Sequence, residues 1–237
     1  MNRTPEIEAA PASTTADPFR PSEYSGLLAH ALRARAQSFG RAAGLDMGMG
    51  SGVLLATLGL IGCERLVGVD IDPEALRASA DMARSLGLLE RTHLLQGSLW
   101  EPVGDERFDV VVTNLPNFAA TEPSDPERSH YWSMGGADGR HVIDPFLAGL
   151  GRHLKPGGVA FMTHNVFAGM SETTAILQRQ GLVARAIMAT STLLHPRKSA
   201  LMCAKVRARF DDVALHRLGH YEFADVEVLE IRWGEAE

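Results

Sequence analysis

Three glycines alternate at Gly48, Gly50 and Gly52, just after the acidic residue Asp46. They lie between a short apolar run (Ala42, Ala43, Leu45) and a helix-like run from Val53 to Leu58. A second apolar run, Val67-Gly68-Val69, ends in Asp70. This layout suits a nucleotide-type cofactor. A strand stops, a glycine turn lets backbone N–H groups approach the ligand, and a helix begins. The next strand then ends in a carboxylate able to bind ribose hydroxyls. A second constellation follows at Asn114-Leu115-Pro116-Asn117-Phe118, where the apolar run Phe108–Thr113 enters a polar, proline-stiffened turn. The proline fixes the backbone so that neighbouring carbonyls point outward, and the Asn114 amide offers an acceptor and donors. Together they can hold an –NH2 group by its hydrogens and leave the nitrogen lone pair facing the cofactor.

Other reactive side chains are less pointed. Asp46 either orients the glycine turn through backbone N–H groups or reaches a ligand amino group. Asp72, before Pro73, fits a helix N-cap better than a ligand contact. Tyr131 and Trp132 either line an acceptor pocket or pin a long loop to the core. His164-Asn165 ends a strand on the active rim, where a core or capping role competes with catalysis. The nine histidines show no metal-ligand spacing, so no metal is expected. Cys63 and Cys203 are expected as reduced thiols.

The elements that must position these residues alternate. A helix opens at Ser22-Glu23, with Leu27, Leu28, Ala31 and Leu32 on its apolar face. Strands follow at 42–46, 65–69, 93–96, 108–113 and 159–163, with helices at 53–61, 72–86, 141–154 and 172–180 between them. The segment 117–139, rich in Pro and Gly, reads as a long functional loop. Runs at 182–194 and 200–206 read as two strands joined by a hairpin at His195-Pro196-Arg197-Lys198, and 226–231 as a half-exposed strand. The fold class is therefore α/β: a mostly parallel sheet with helices on both faces and a C-terminal antiparallel hairpin. In such sheets ligands bind beyond the carboxyl ends of the strands, and the glycine turn, Asp70, Gln96 and Asn114 all fall there. Residues 1–20 read as a mobile tail, 21–207 as the main domain, and 208–237 as an extension of it.

With 237 residues, 45% of them hydrophobic, the chain can build one good-sized core. Its net charge of -6 disfavours phosphate backbones, so nucleic acid is not expected as a partner. No apolar run approaches a membrane span, and a cytoplasmic location is expected.

The glycine turn reads G-x-G-x-G, not the dinucleotide pattern G-x-G-x-x-G. It resembles motif I of the Rossmann-like, class I methyltransferases that use S-adenosylmethionine. Asn114-Leu115-Pro116-Asn117 resembles motif IV of the N-methyltransferases, with Asn117 in place of the usual stacking aromatic and Phe118 one place on. Three further blocks fit the release-factor glutamine methyltransferases, the HemK/PrmC family, in its short form without the N-terminal helical domain. They are Pro21-Ser22-Glu23, the stretch Gly135-Gly136-Ala137-Asp138-Gly139-Arg140 with Val142-Ile143-Asp144, and Leu154-Lys155-Pro156-Gly157-Gly158. The resemblance covers about residues 20–207. Ser98 stands where that family usually has an aspartate near the adenine amino group.

The resemblance implies S-adenosyl-L-methionine as cofactor and S-adenosyl-L-homocysteine as product. It implies Asp46, Gly48, Gly50, Gly52, Asp70, Ile71, Ser98, Leu99 and Asn114 around the cofactor, and Asn114, Leu115 and Pro116 as the catalytic group. Asn117, Phe118, Tyr131 and Trp132 would face the methyl acceptor. That acceptor is a glutamine in a protein such as a release factor, or a small-molecule amine or amide. Rival readings are a biosynthetic enzyme methylating oxygen, a nicotinamide-dependent oxidoreductase and a non-catalytic module whose strand at 226–231 offers a contact edge.

Overall fold

The computed structural model describes residues 19–35, 39–120, 122 and 135–234. Most of the expected tail, together with Tyr131 and Trp132, lies outside the described residues. Strands β1 (Ala43–Met47), β2 (Arg65–Asp70), β3 (Thr92–Gln96) and β4 (Phe108–Thr113) pair in parallel, as does the first part of the sheet's next strand, β5 (Leu154–Asn165). Helices α2 (Val53–Leu60), α3 (Pro73–Ser85) and α4 (Ile143–His153) connect them, α1 (Glu23–Arg33) precedes β1, and α5 (Met170–Gln178) follows β5. The strand order is β3-β2-β1-β4-β5-β8-β6, where β6 is Leu182–Leu193 and β8 is Tyr221–Trp233. The order reverses direction between β1 and β4, so the carboxyl ends of those two strands flank a crevice.

Local chemistry explains several element starts. Ser22 accepts from the Ser25 N–H at the head of α1, and Asp72 caps α3 with Pro73 in its first turn. Helix α2 is apolar nearly all round, with Leu54 through Gly59 buried, because it lies between the sheet and its neighbours α1 and α3. The Lys155–Gly158 turn is part of β5, seen as a register shift between the Phe108–Leu154 and Val110–Val159 pairs.

The C-terminal third corrects the sequence reading in two places. Residues 200–206 are not a strand, and 195–198 is not a hairpin turn. Instead α6 (Pro196–Leu201) and α7 (Ala204–Phe210) fold there. Pro196 sits in the first turn of α6, where its missing N–H costs nothing. Leu201, Met202, Val206 and Phe210 pack on Phe118, Ala119 and Phe167 at helical spacing. Tertiary packing outweighs the β-like composition. The antiparallel hairpin is formed further on, by β7 (Leu215–Leu218) and β8, around Gly219 at φ 62.

The second correction concerns 226–231. These residues are neither half exposed nor an edge, because β8 runs between β5 and β6 with partners on both sides. Glu230 is held there by Arg35 at 2.6 Å and Arg232 at 2.9 Å. At Phe223 and Ala224 β7 takes the side of β8 that β5 holds from Val226 onward.

Candidate active site

The glycine turn is wired to the end of β2. The N–H groups of Gly48 and Met49 donate to the Val69 carbonyl at 2.8 and 3.1 Å. Asp70 holds two loops at once, since its carboxylate accepts from Gly50 N–H and from Asp72 N–H, each at 3.0 Å. Burial pushes its pKa up, and these backbone donors pull against that rise. Gly52 takes φ 77 at the N-cap of α2, and a Cβ there would meet Ser79 at 2.8 Å. Only glycine fits both the left-handed backbone and the close approach of α3.

A glycine N-cap has no side chain to satisfy the helix, and Asp46 supplies it. Its Oδ2 accepts from the Leu55 N–H at 2.8 Å, within the first turn of α2. The carboxyl group is fully buried, and its Oδ1 has no hydrogen-bond partner among the described residues. Burial drives the Asp46 pKa up to about 8, with Asp70 adding to the rise. The hydrogen bond to Leu55 is the turn-orienting role of the two open for Asp46.

A pKa raised in the folded state means stability that is complete below the ordinary carboxylate value and is lost as pH rises through about 8. Buried His164 is pushed down to about 4 from 6.5, so its effect is confined to the acid side of that range. The ligand-free protein is therefore expected to lose Tm between pH 6.5 and 8. Asp46→Asn, which keeps an oxygen for Leu55, should flatten that slope in thermal melts. A slope unchanged in the variant would mean that another group carries it.

A cavity of about 590 Å³ opens beyond the ends of β1, β2, β3 and β4. Gly48, Gly50, Asp70, Ile71, Ser98, Leu99, Asn114, Leu115 and Pro116 of the expected set line it, while Asp46 and Gly52 lie behind. Ile71 is 49% exposed, an apolar side chain held on the rim beside Asp70. Leu99 takes φ 49, a left-handed backbone rare for a branched side chain and typical of functional sites. It is fixed between Gly97, whose N–H donates to the Asp70 carbonyl, and Trp100, which stacks on Phe146 and His153. Val142 of the block after the motif also lines the cavity, as do Phe19 and His141, which were not singled out from sequence. No local pattern marks them, since their position depends on how the chain ends and the loop before α4 pack.

Asn114 is clamped at both ends of its amide. Thr163 Oγ1 donates to Asn114 Oδ1 at 2.6 Å, and Asn114 Nδ2 donates to Ser25 Oγ at 3.1 Å. One lone pair of Oδ1 is left for another donor. On the other side of Asn114-Leu115-Pro116 lies a second, smaller cleft of about 40 Å³. Ser22, Tyr24, Asn117, Phe118, Asn165 and Lys198 complete its lining. The motif thus forms a wall shared by a large cavity and a small cleft.

Asn117 borders that cleft, but its amide is turned onto β5. Asn117 Nδ2 donates to the Thr163 carbonyl at 3.0 Å, and Asn165 Nδ2 donates to Asn117 Oδ1. Tyr24 completes the network: its hydroxyl, kept protonated by burial, donates to Asn165 Oδ1 at 3.2 Å. Phe118 packs edge-on against Phe167, and Lys198 Nζ sits 5.6 Å from its ring centroid. Tyr24, Ser25 and Thr163 escape sequence reading because their partners lie far along the chain.

The Gly135–Arg140 block holds this wall in place. A Cβ on Gly135 or Gly139 would meet the carbonyl oxygen of Phe118 or Asn117 at 2.6 Å, so the block packs directly on the motif backbone. Arg140 donates to the carbonyls of Ala168 and Gly169 at 2.7 and 3.1 Å, tying the same block to the end of β5. His164 is fully buried, with Nε2 at 2.9 Å from Thr173 Oγ1, which places it in the core. Among the described residues no His, Cys, Asp or Glu group is placed to hold a metal ion, and no helix is long and apolar enough to cross a membrane.

Comparison with known proteins places this geometry. A family model for ribosomal protein L11 methyltransferase matches residues 31–117. A chain of Methanocaldococcus jannaschii assigned to the protein N5-glutamine methyltransferases is 30% identical over 140 residues, which cover 58% of this chain and 68% of that one. The release factor glutamine methyltransferase of Geobacter sulfurreducens is 36% identical over 124 residues, 49% of this chain and 43% of that one. The chain spans about half the length of the release factor enzymes that it matches. Among solved structures, a chain of the E. cuniculi Mtq2–Trm112 complex, responsible for methylation of the eRF1 translation termination factor, superposes with a TM-score of 0.58 at 19% identity. The alignment covers 92% of this chain and 99% of that one. A ribosomal protein L11 methylase from Lactobacillus delbrueckii gives a TM-score of 0.57 at 16% identity, covering 91% and 81%. These two likenesses show the fold.

Proposed function

Because the chain belongs to the class I S-adenosylmethionine-dependent methyltransferases, we propose that it methylates an amide nitrogen, with a protein glutamine side chain as the acceptor. The observation that carries this reading is the wall Asn114-Leu115-Pro116, which lines the large cavity on one side and the small cleft on the other. The wall is where a donor in the cavity and an acceptor in the cleft would meet.

The cavity fits the cofactor. Its volume suits a ligand of that size and its lining is mainly apolar with a few polar groups. In this reading Asp70 takes the ribose hydroxyls and Ile71 and Leu99 flank the adenine. Ser98 lies near the adenine amino group, and Gly48 and Gly50 let the backbone approach the amino-acid part. Asp46 and Gly52 hold the turn from behind. The cofactor supplies a methyl group on a sulfonium: the acceptor nitrogen's lone pair forms the new N–C bond and the broken S–C pair stays on sulfur, leaving S-adenosylhomocysteine.

The chain's own residues align and desolvate the acceptor. Asn114 Oδ1 and the Leu115 carbonyl accept from the acceptor N–H groups and stabilise positive charge as it grows on nitrogen. The extra proton then leaves to solvent, so no general base is required. The relatives named as glutamine methyltransferases support the amide acceptor. The cleft of about 40 Å³ beside the wall leaves room for a carboxamide head.

Label transfer tests the proposal. The purified protein is incubated with methyl-labelled S-adenosylmethionine and lysate from its own source, divided into macromolecule and metabolite fractions. Label on a glutamine, located by mass spectrometry, is the expected result. Label in the metabolite fraction alone would replace the protein acceptor with a small-molecule one.

A further inference from the structure

We infer that Tyr24 is a positioning residue for methyl transfer: from the first turn of α1 it closes a ring of hydrogen bonds around the acceptor wall. The inference rests on the acceptor role proposed for that wall above. Six residues make the ring, namely Tyr24, Asn165, Asn117, Thr163, Asn114 and Ser25. Thr163 enters it twice. Its backbone carbonyl accepts from Asn117 Nδ2 at 3.0 Å, and its hydroxyl donates to Asn114 Oδ1 at 2.6 Å. The ring leaves α1 at Tyr24 and returns at the next residue, where Ser25 Oγ accepts from Asn114 Nδ2 at 3.1 Å. Two consecutive residues of one helix therefore grip both asparagines of the wall.

Chemistry leaves the Asn117 side of the ring one direction. The Thr163 carbonyl can only accept, so Asn117 must present its Nδ2 there and turn its Oδ1 to Asn165. That Oδ1 and the Asn117 carbonyl, 3.3 Å from Asn165 Nδ2, are both acceptors, so Asn165 must face them with its Nδ2. Asn165 Oδ1 is then left toward Tyr24, whose hydroxyl is the donor at 3.2 Å. Burial keeps that hydroxyl protonated. With the Tyr24 proton committed, Thr192 Oγ1 is the donor in its own 3.2 Å contact with the Tyr24 oxygen. Asn165, Asn117 and Thr163 are buried, so a lost donor is not replaced by bulk water. Without the Tyr24 hydroxyl, Asn165 Oδ1 is unpaired, its amide turns in search of a donor, and its grip on Asn117 is released. Pro116 stiffens the backbone between Leu115 and Asn117, so a shift at Asn117 carries the Leu115 carbonyl with it. Misplacing a group that orients the acceptor is costly in rate. Tyr24, Asn117 and Asn165 line the small cleft and not the large cavity, so cofactor binding does not depend on them.

The test uses the full chain with isotope-labelled asparagine, read by NMR. The chain contains four asparagines, three of them in the ring, so their side-chain amide signals can be assigned by single substitutions. In Tyr24→Phe the signals of both Asn165 and Asn117 are expected to move, with cofactor Kd unchanged. Transfer from methyl-labelled S-adenosylmethionine to lysate of the protein's own source should fall about tenfold. Combining Tyr24→Phe with Asn117→Ala should lose no more rate than Asn117→Ala alone, because one residue acts through the other. An Asn117 signal that stays in place, rate losses that multiply, or an unchanged rate in Tyr24→Phe would each overturn the inference. If Asn117→Ala fails to fold, the amide signals and the rate of Tyr24→Phe decide it. Label landing on a group other than an amide would remove the amide-acceptor reading alone, since neither the signals nor the cycle requires a particular acceptor.

Discussion

Asn114→Ala is expected to lower the rate of methyl transfer by about 10²–10³-fold while cofactor Kd stays close to wild type. The rate effect follows from removing a preorganised oxygen aimed at charge that develops only in the transition state, for which losses of that order are typical. The fold should survive. Asn114 is half-buried, and the two buried hydroxyls that it leaves behind, Thr163 and Ser25, each lose a partner at a cost of about 1–3 kcal/mol, which lowers Tm without removing a core side chain. Single-turnover transfer and calorimetric binding of S-adenosylmethionine check the two halves separately. A parallel loss of Kd and rate would make Asn114 a structural residue of the wall. Full activity in the variant would remove the motif from the chemistry.

The second large effect is expected at Asp70. Asp70→Ala should raise cofactor Kd by about 10²-fold or more, since each hydrogen bond to a charged group contributes about 1.5–3 kcal/mol. Two causes act together. The carboxylate would no longer receive the ribose hydroxyls, and the N–H groups of Gly50 and Asp72 would lose the oxygens that hold them at 3.0 Å. Asp70→Asn separates the causes. Its single carbonyl oxygen can serve one backbone donor but not both, so the variant should bind more weakly than wild type and more tightly than Asp70→Ala. An unchanged Kd in Asp70→Ala would sink the ribose assignment and leave Asp70 as a loop clasp.

The elements around this site were readable wherever a local signal set them. Asp72-Pro73 announces α3 and delivers it. The run from Phe108 to Thr113 forms β4 with the bounds expected. The reading failed where two locally acceptable structures compete. Residues 200–206 carry β-like composition, yet the apolar side chains of α6 and α7 are needed on Phe118 and Phe167, and a helix presents them there. The segment at 226–231 alternates like a half-exposed strand. Glu230 is accommodated inside the sheet because Arg35 and Arg232 reach it.

The candidate site divides along the same line. By itself, the sequence determined the glycine turn, the carboxylate after β2 and the Asn114-Leu115-Pro116 wall. Each depends on the residue types and backbone preferences of a few consecutive positions at a strand end. Tertiary structure decided how those positions are used. It turned Asp46 into the cap of α2 because Gly52 has no side chain to offer. It tied the Asn117 amide to β5, and it brought Tyr24 to Asn165 across 141 residues of chain. It also set Lys198 over Phe118 at the mouth of the cleft. Hydrogen bonds and packing between distant segments leave no local pattern, because either partner alone is compatible with many neighbours and only the folded sheet selects one.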